Sequence, residues 1–255
     1  MGQHRNRVNT SWEVSAKAYT ELVGKTGSYY HQEVIFPNLI PLMDLQKNDT
    51  VLELGCGQGV LSRILPAETL YFGLDTSQTL LDQARELSIS QNRYFKQQDV
   101  TYPFQLTKTN FTRVVIMLAL QNMKNLSTVI ANARKHLHPK GKLIIILNHP
   151  AFRIPKHSEW HTSDTTQSRL VHRYMSPLKI EIDMNPGNPK STQKTWSFHH
   201  SISDYMHVFK TQKLLVEDIQ EWVSNKVSVG RNAKRENVAR AEFPMFMCWV
   251  LRKYS

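Results

Sequence analysis

The stretch VLELGCGQG, residues 51–59, constrains the fold of this chain more than any other. Apolar residues and one acid run directly into glycines at Gly55, Gly57 and Gly59. A buried strand over residues 50–54 is predicted to end here in a tight turn, and a helix is predicted to follow. Because glycine tolerates positive φ and has no Cβ, a ligand can approach such a backbone closely. The stretch therefore predicts a strand–turn–helix unit with a binding site at the turn.

The glycine spacing distinguishes this turn from the dinucleotide-binding fingerprint. G-x-G-x-x-G would need a glycine where Val60 stands, which disfavours a nicotinamide dehydrogenase. The pattern is acid-x-G-x-G-x-G with Glu53 as the acid, and it resembles motif I of the class I S-adenosylmethionine (SAM)-dependent methyltransferases. The resemblance implies SAM as the cofactor, S-adenosylhomocysteine as the product, and cofactor contacts from the motif itself. Those motif residues are Glu53, Gly55, Cys56, Gly57 and Gly59.

The rest of the chain alternates between strand and helix patterns. Strands two to five are predicted at residues 70–74, 92–96, 111–118 and 143–147, and two more at residues 214–222 and 243–251. Such alternation favours a parallel α/β sheet. With the family resemblance, we expect a Rossmann-like, seven-stranded, mostly parallel sheet with an N-terminal helical lid and an insertion after the fifth strand.

Four segments follow from this interpretation. The predicted division is an N-terminal helical lid (1–48), a SAM-binding α/β core (49–148), a substrate-cap insertion (149–201) and a C-terminal completion of the sheet (202–255). The insertion is punctuated by prolines and rich in histidine and tryptophan. A segment of this length between core elements is usually functional or disordered, and its aromatic residues argue against disorder.

Two acids downstream of the turn are candidate cofactor ligands. Asp75 follows Gly55 by 20 residues and ends the second predicted strand, where a carboxylate can accept hydrogen bonds from a ribose. The alternative is a strand-end cap. By resemblance, Asp99 contacts the adenine amino group with Val100 beside the ring, although Asp99 can also be a plain loop residue. Further cofactor contacts are expected from Thr76 and Leu118.

The N-terminal segment carries a second family feature. Trp12, Ala16 and Tyr19 form a W-x-x-x-A-x-x-Y pattern that resembles the opening of many small-molecule methyltransferases, in which this segment folds over SAM. Tyr19 and Tyr30 are therefore expected to contact the cofactor. The alternative is that these aromatic residues only pack on the core.

The insertion supplies the candidate acceptor site. His149 leaves the fifth strand at the catalytic edge, and the histidine pKa suits proton transfer near neutrality, so His149 and His199 are candidate bases. A guanidinium can hold a carboxylate or phosphate, whereas a charge run is more commonly a solvated surface. The candidate acceptor contacts are Arg153, Trp160, Trp196 and Asn122.

A metal site is the rival interpretation of the histidines. His157 and His161 lie four residues apart, but the residues around them disfavour a helix, and no cysteine is near. His199 and His200 are adjacent, so on a strand they point to opposite faces. We expect no metal.

Composition limits the function only coarsely. The net charge of +11 permits an anionic partner such as RNA, so an RNA methyltransferase is one alternative, and a non-catalytic SAM-binding protein is another. No RNA-binding signature accompanies the charge. The apolar residues at the end of the fourth predicted strand, Leu118, Ala119 and Leu120, favour a small acceptor. The prediction is methyl transfer to an oxygen or nitrogen of a small molecule, for which the arginines allow an anionic group.

The cysteines and the hydropathy bear on location. Only two cysteines occur, Cys56 and Cys248, and they are not expected to pair, which fits a reducing, cytoplasmic location. No apolar run approaches the ~18 residues of a membrane span.

Overall fold

The computed structural model describes residues 12–183 and 194–254. The strands are β1 (Thr50–Leu54), β2 (Leu70–Asp75), β3 (Arg93–Gln97), β4 (Phe111–Met117), β5 (Leu137–Asn148), β6 (Ser158–Thr162), β7 (Gln167–Val171), β8 (Leu178–Asp183), β9 (Lys194–His199), β10 (Leu214–Trp222) and β11 (Phe246–Lys253). The helices are α1 (Ala16–Val23), α2 (Phe36–Met43), α3 (Val60–Ile64), α4 (Gln78–Glu86), α5 (Leu126–His136), α6 (Ile202–Thr211) and α7 (Ala233–Glu242).

Seven strands form the central sheet, in the order β10-β11-β5-β4-β1-β2-β3. β11 is antiparallel to both of its neighbours, whereas the pairs β5–β4, β4–β1, β1–β2 and β2–β3 are parallel. The predicted seven-stranded, mostly parallel sheet is therefore confirmed. The strand order reverses between β1 and β4, and open α/β sheets bind ligands in the crevice at such a switch point.

Two apolar cores cover the two faces of the sheet. One is built around the side chains of α5 and α6 packed on β4, β5 and β11, with Trp249 fully buried. The other joins α2, α3 and α4 to the opposite face of the same strands. Because β1, β4 and the second half of β5 are covered on both faces, they are nearly continuous apolar runs, as central parallel strands require.

The start of β5 differs from the sequence prediction. The sequence predicts the fifth strand over residues 143–147, but β5 already begins at Leu137. A Cβ at Gly141 would lie 2.9 Å from the carbonyl oxygen of Thr112. The glycine is therefore needed because two backbones approach each other closely, not because a helix ends here.

The insertion consists of two β-hairpins in the part that the structure describes. β6 pairs with β7 and β8 with β9, both antiparallel, and neither hairpin joins the central sheet. Residues 184–193 of the insertion and residues 1–11 of the lid segment lie outside the described residues.

No helix in the described ranges is long and apolar enough to cross a membrane. Cys56 and Cys248 are both buried and free, so the expectation that they do not pair agrees with the structure.

Candidate active site

A cavity of about 400 Å³ lies at the carboxyl ends of the central strands. Its walls come from the turn after β1, the ends of β2, β4 and β5, the N-terminal segment and the insertion. Many predicted cofactor contacts line it together, and they are Tyr19, Gly55, Gly57, Asp75, Thr76, Asp99, Val100 and Leu118, joined by the predicted acceptor contact Asn122. The topology brings these residues together from separate parts of the chain.

The glycine turn has the backbone conformation that its sequence predicts. Gly55, Gly57 and Gly59 have φ values of 78°, 51° and 72°, which favour glycine. The amide of Gly55 donates to the carbonyl oxygen of Leu74 at 2.7 Å, which ties the turn to the end of β2. A Cβ at Gly55 would lie 2.5 Å from that of Ala119, so this position has no room for a side chain.

The carboxylate of Asp75 organises the turn as well as facing the cavity. Its Oδ2 accepts a hydrogen bond from the Gly57 amide at 2.8 Å, and its Oδ1 accepts one from the Ser77 amide at 2.9 Å. Burial raises the pKa of Asp75, while the backbone hydrogen bonds act in the opposite direction. Each oxygen has a second lone pair, which is available to a ligand hydroxyl.

Asp99 and Val100 lie at the far end of the cavity, beyond Asp75. Oδ1 of Asp99 accepts from the amide of Thr101 at 2.9 Å and from its hydroxyl at 2.6 Å. The Val100 side chain is buried, and its carbonyl accepts from Asn132. An acid beside a fixed apolar side chain is suited to an aromatic base with an exocyclic amine.

The N-terminal segment covers the turn, as predicted. The rings of Trp12 and Tyr19 meet edge to face at 5.5 Å, and a Cβ at Gly57 would lie 3.5 Å from the Tyr19 ring. Glu13 accepts hydrogen bonds from the hydroxyls of Ser77 and Thr79 at the start of α4. An acid is favourable at a helix N-terminus, so these contacts attach the cover to the core.

Glu53 lies beneath the turn and does not line the cavity. Its side chain is 1% exposed and accepts from the Tyr71 hydroxyl at 2.5 Å. Burial raises the pKa of Glu53 to about 8, although the Tyr71 hydrogen bond lowers it. The predicted contacts Cys56, Gly59 and Tyr30 are also absent from the cavity wall.

His149 is enclosed by hydrogen bonds and is not in the cavity wall. Its Nδ1 accepts from the amides of Ala151 and Phe152, so the ring proton is on Nε2, which donates to Glu221 at 2.5 Å. Burial lowers the pKa of His149 even though Glu221 raises it. Both ring nitrogens are thus occupied in holding the start of the insertion against β10.

The predicted acceptor residues His199 and Trp196 lie outside the cavity wall as well. Nε2 of His199 donates to the carbonyl oxygen of Tyr174 at 2.7 Å. Trp196 and His199 are three residues apart on β9, so their side chains point to opposite faces. On that strand Ser197, from the same face as His199, reaches the cavity. The sequence predicts that side chains alternate along β9, but it does not predict which face of β9 turns toward the cavity.

Arg153 and Trp160 pack against each other beyond the cavity. The guanidinium carbon of Arg153 lies 5.5 Å from the centre of the Trp160 ring. The insertion reaches the cavity wall nearby through Pro155, two residues after Arg153.

Gln121 and His31 are two of the polar residues in the cavity wall that the sequence did not predict. Oε1 of Gln121 is buried without a partner among the described residues, while its Nε2 donates to the carbonyl oxygen of Leu118. Leu118 has a φ of 54°, an unusual value for leucine that often marks a functional site. His31 is buried, and its Nδ1 accepts from the amide of Ser28 at 3.2 Å. No sequence motif marks Gln121 or His31.

No group of three or more His, Cys, Asp or Glu side chains is arranged for a metal within residues 12–183 and 194–254.

Comparisons with known proteins agree with this geometry. A family model described as a methyltransferase domain matches residues 52–145, which contain the glycine turn, Asp75 and Asp99. A search of curated proteins gave no match.

Solved structures resemble the chain at low identity. A SAM-dependent methyltransferase from Mesorhizobium loti is 18% identical with a TM-score of 0.66, over 84% of this chain and 96% of the other. A complex of the Haloferax volcanii methyltransferase activator Trm112 with a methyltransferase is 15% identical with a TM-score of 0.64, over 96% and 95%. The glycopeptide N-methyltransferase MtfA, in complex with S-adenosylhomocysteine, is 16% identical with a TM-score of 0.56, over 84% and 85%.

At these identities the solved structures establish the fold only. The family match adds that residues 52–145 form a methyltransferase domain. The glycine turn leaves the backbone open to a ligand, and Asp75 and Asp99 line the same cavity as that turn. This chain therefore carries a class I methyltransferase domain that uses S-adenosylmethionine as its cofactor.

Proposed function

We propose that the chain transfers a methyl group to an oxygen or nitrogen of a small molecule that carries an anionic group. The proposal rests on the covered cavity, in which the cofactor-binding residues occupy one end and unassigned polar residues the other. SAM, when bound, supplies the electrophilic methyl group, so the protein's own task is to position and desolvate the acceptor.

The strand order separates the two ends of the cavity. Asp75 ends β2 and Asn148 ends β5, and three strand spacings lie between β2 and β5. At ~4.8 Å per spacing, the two residues lie about 14 Å apart across the sheet. We infer that Asp75 and Asp99 hold the nucleoside over β2 and β3, and that the acceptor lies over β4 and β5.

The acceptor end has its own polar groups. Gln121 and Asn122 come from the β4 exit, Asn148 from β5 and Ser197 from β9. The unpartnered Oε1 of Gln121 needs a donor, which an acceptor hydroxyl or amine supplies. Pro155 and Ile182 add apolar walls from the insertion, in keeping with a cap over residues 149–201.

Positioning, not base catalysis by His149 or His199, is the mechanism that this arrangement supports. Both histidines donate a ring proton to a protein oxygen outside the cavity wall. His31 lies in the wall, and burial lowers its pKa to about 4, so it is neutral at pH 7. Because its Nδ1 accepts from Ser28, its proton is on Nε2, where it can orient an acceptor as a hydrogen-bond donor.

The first test is binding followed by transfer. Calorimetry should detect stoichiometric binding of SAM and S-adenosylhomocysteine, and binding of NAD without SAM would refute the proposal. Labelled SAM should then transfer its methyl group to a component of a metabolite pool. Labelling of RNA alone would favour the RNA alternative, and SAM binding without transfer would favour a non-catalytic protein.

Two variants separate the ends of the cavity. Gln121→Leu should depress methyl transfer while SAM affinity stays within about threefold, because sites that share no partner act independently. Asp75→Asn should weaken SAM binding itself. If Gln121→Leu weakened SAM binding as much as Asp75→Asn, the division into cofactor and acceptor ends would be wrong.

A further inference from the structure

Two arginines lie against Trp160 at the junction of the insertion and α7, and a third, Arg240, is close enough to Arg153 to affect its charge. The guanidinium carbons of Arg153 and Arg169 lie 5.5 and 5.0 Å from the Trp160 ring centre. Arg240 is carried by α7, which packs on β7. The ring of Phe243 meets Trp160 edge to face at 5.5 Å, which closes the apolar side of the cluster.

No salt bridge within the described residues neutralises the cluster, although the nearby Glu159 raises the pKa of Arg169. None of Arg153, Arg169 and Arg240 forms an ion pair with a described carboxylate. Nε of Arg153 and Nε of Arg240 are buried without a hydrogen-bond acceptor among described residues. A buried donor without a partner costs free energy, more so when the donor is charged.

The three guanidinium groups are close enough to repel one another. Burial lowers the pKa of Arg153, and Arg240 lowers it further. Burial, and then Arg153, lower the pKa of Arg169 to about 10, so it is still charged at pH 7. An oxyanion between the three side chains would remove the repulsion and satisfy the open donors.

Half-buried arginines distinguish this cluster from the ordinary basic surface. Arg231 and Lys234, at the start of the same helical region, are exposed to solvent. Arg153, Arg169 and Arg240 are only partly exposed. Arg153 lies against the Trp160 ring, Arg169 donates to the carbonyl oxygen of Phe152, and Arg240 donates to the hydroxyl of Ser228. Arg169 is held rigidly, since it donates to the carbonyl oxygens of Phe152 and Ser158.

We propose that Arg153, Arg169 and Arg240, with Trp160 as the apolar floor, form an oxyanion-binding site that receives a carboxylate or phosphate of the methyl acceptor. The assignment to the acceptor rests on the proposed function, whereas the oxyanion site itself does not. Pro155, two residues after Arg153, already lines the SAM cavity, so the insertion spans both sites. An acceptor held there would present its nucleophile toward the β4 and β5 end of the cavity.

Inorganic phosphate and malonate are the probes for the site. Each should raise the thermal midpoint of the protein relative to chloride at equal ionic strength and bind measurably by calorimetry. Arg153→Gln and Arg240→Gln should each weaken binding about tenfold or more, because each removes a charge-assisted hydrogen bond. Preference for phosphate or for malonate identifies the chemistry of the natural group.

Arg85→Gln is the matched control, since Arg85 is an exposed arginine on α4 whose partner is Asp82. It should bind both probes like the wild type. SAM affinity should stay within about twofold in all three variants, because the site is distinct from the cofactor end. A wild type that does not distinguish the probes from chloride, or Arg153→Gln and Arg240→Gln variants that bind like the wild type, would overturn the site.

The assignment to the acceptor has its own readout. Label transferred from SAM to a metabolite pool should be retained on an anion-exchange resin, and Arg153→Gln should lower its yield about tenfold or more. A neutral or cationic product would overturn the assignment while leaving the oxyanion site intact. Failure of SAM to bind would instead refute the proposed function, so the two outcomes are distinguishable.

Discussion

Replacing Asp75 tests whether one carboxylate both binds the cofactor and holds the glycine turn. In the structure its two oxygens accept from the amides of Gly57 and Ser77 at 2.8 and 2.9 Å. Asp75→Ala removes both acceptors. A hydrogen bond to a charged group contributes roughly 1.5–3 kcal/mol, so two bonds set an upper limit of roughly 3–6 kcal/mol. Water that enters the cavity would replace part of this hydrogen bonding, so the loss of free energy should lie below the limit.

We therefore expect the free energy of unfolding of Asp75→Ala to fall by roughly half that limit, about 1.5–3 kcal/mol. For a domain of this size the thermal midpoint would fall by about 3–12 °C. The affinity for SAM should fall by about 10- to 100-fold, since the ribose loses its charged acceptor at 1.4 kcal/mol per factor of ten. The sequence predicts a ribose contact for Asp75, whereas the loss of stability follows only from the two backbone hydrogen bonds seen in the structure.

Calorimetry with SAM and thermal unfolding measure the two effects separately. Asp75→Asn retains one acceptor oxygen, so both of its losses should be smaller than those of Asp75→Ala. Asp82→Ala is the matched control, because Asp82 is exposed on α4 and pairs with Arg85. If Asp75→Ala lowered the thermal midpoint but left SAM affinity unchanged, Asp75 would be a strand-end cap and not a ribose ligand.

Three further variants test the surroundings of the site. Gly55→Ala should abolish measurable SAM binding because its Cβ would lie 2.5 Å from that of Ala119, whereas Gly24→Ala, which also has positive φ but open space around it, should keep SAM binding. Glu53→Gln should flatten the pH dependence of stability. Burial raises the pKa of Glu53 from 4.5 to about 8, so between these two pH values the folded state keeps this proton while the unfolded state has lost it. The free energy of unfolding of the wild type therefore falls as the pH rises from 4.5 to about 8, and that of Glu53→Gln does not. His149→Ala should lower the thermal midpoint and leave SAM affinity within about threefold, because its ring bonds lie outside the cavity wall; an unchanged midpoint would contradict the structural role.

The cofactor end was predictable from sequence because its determinants are local. Gly55 directly follows β1 and has a positive φ, and Asp75 ends β2, the next strand of the βαβ unit. Because the carboxyl ends of neighbouring parallel strands meet at one edge of the sheet, the sequence spacing of the two residues is enough to place them together. Tyr19 was assigned through a family pattern and lies above Gly57 as expected. Glu53 belongs to the same motif, but its face of β1 points into the core, which the motif does not reveal.

The acceptor end was not predictable because it depends on non-local pairing. Which face of β9 turns toward the cavity decides that Ser197 and not Trp196 reaches it, and the alternation along the strand does not specify that face. His149 is a reasonable candidate base by position, but its partner Glu221 lies 72 residues away in sequence. Gln121 has no motif at all, and only the burial of its Oε1 marks it.

The lid and the cofactor site share one set of hydrogen bonds. Glu13 accepts from Ser77 at the N-terminus of α4, and the Ser77 amide donates to Asp75. The same carboxylate accepts from Gly57, over which Tyr19 lies. A ligand that bonds to Asp75 therefore meets a carboxylate whose position depends on α4, and α4 is also where the lid is attached. We therefore expect Asp75 to couple the order of the N-terminal segment to the affinity for the cofactor. Thermodynamic reciprocity then requires that a change that loosens this segment weakens cofactor binding by the same free energy that the cofactor contributes to the order of the segment.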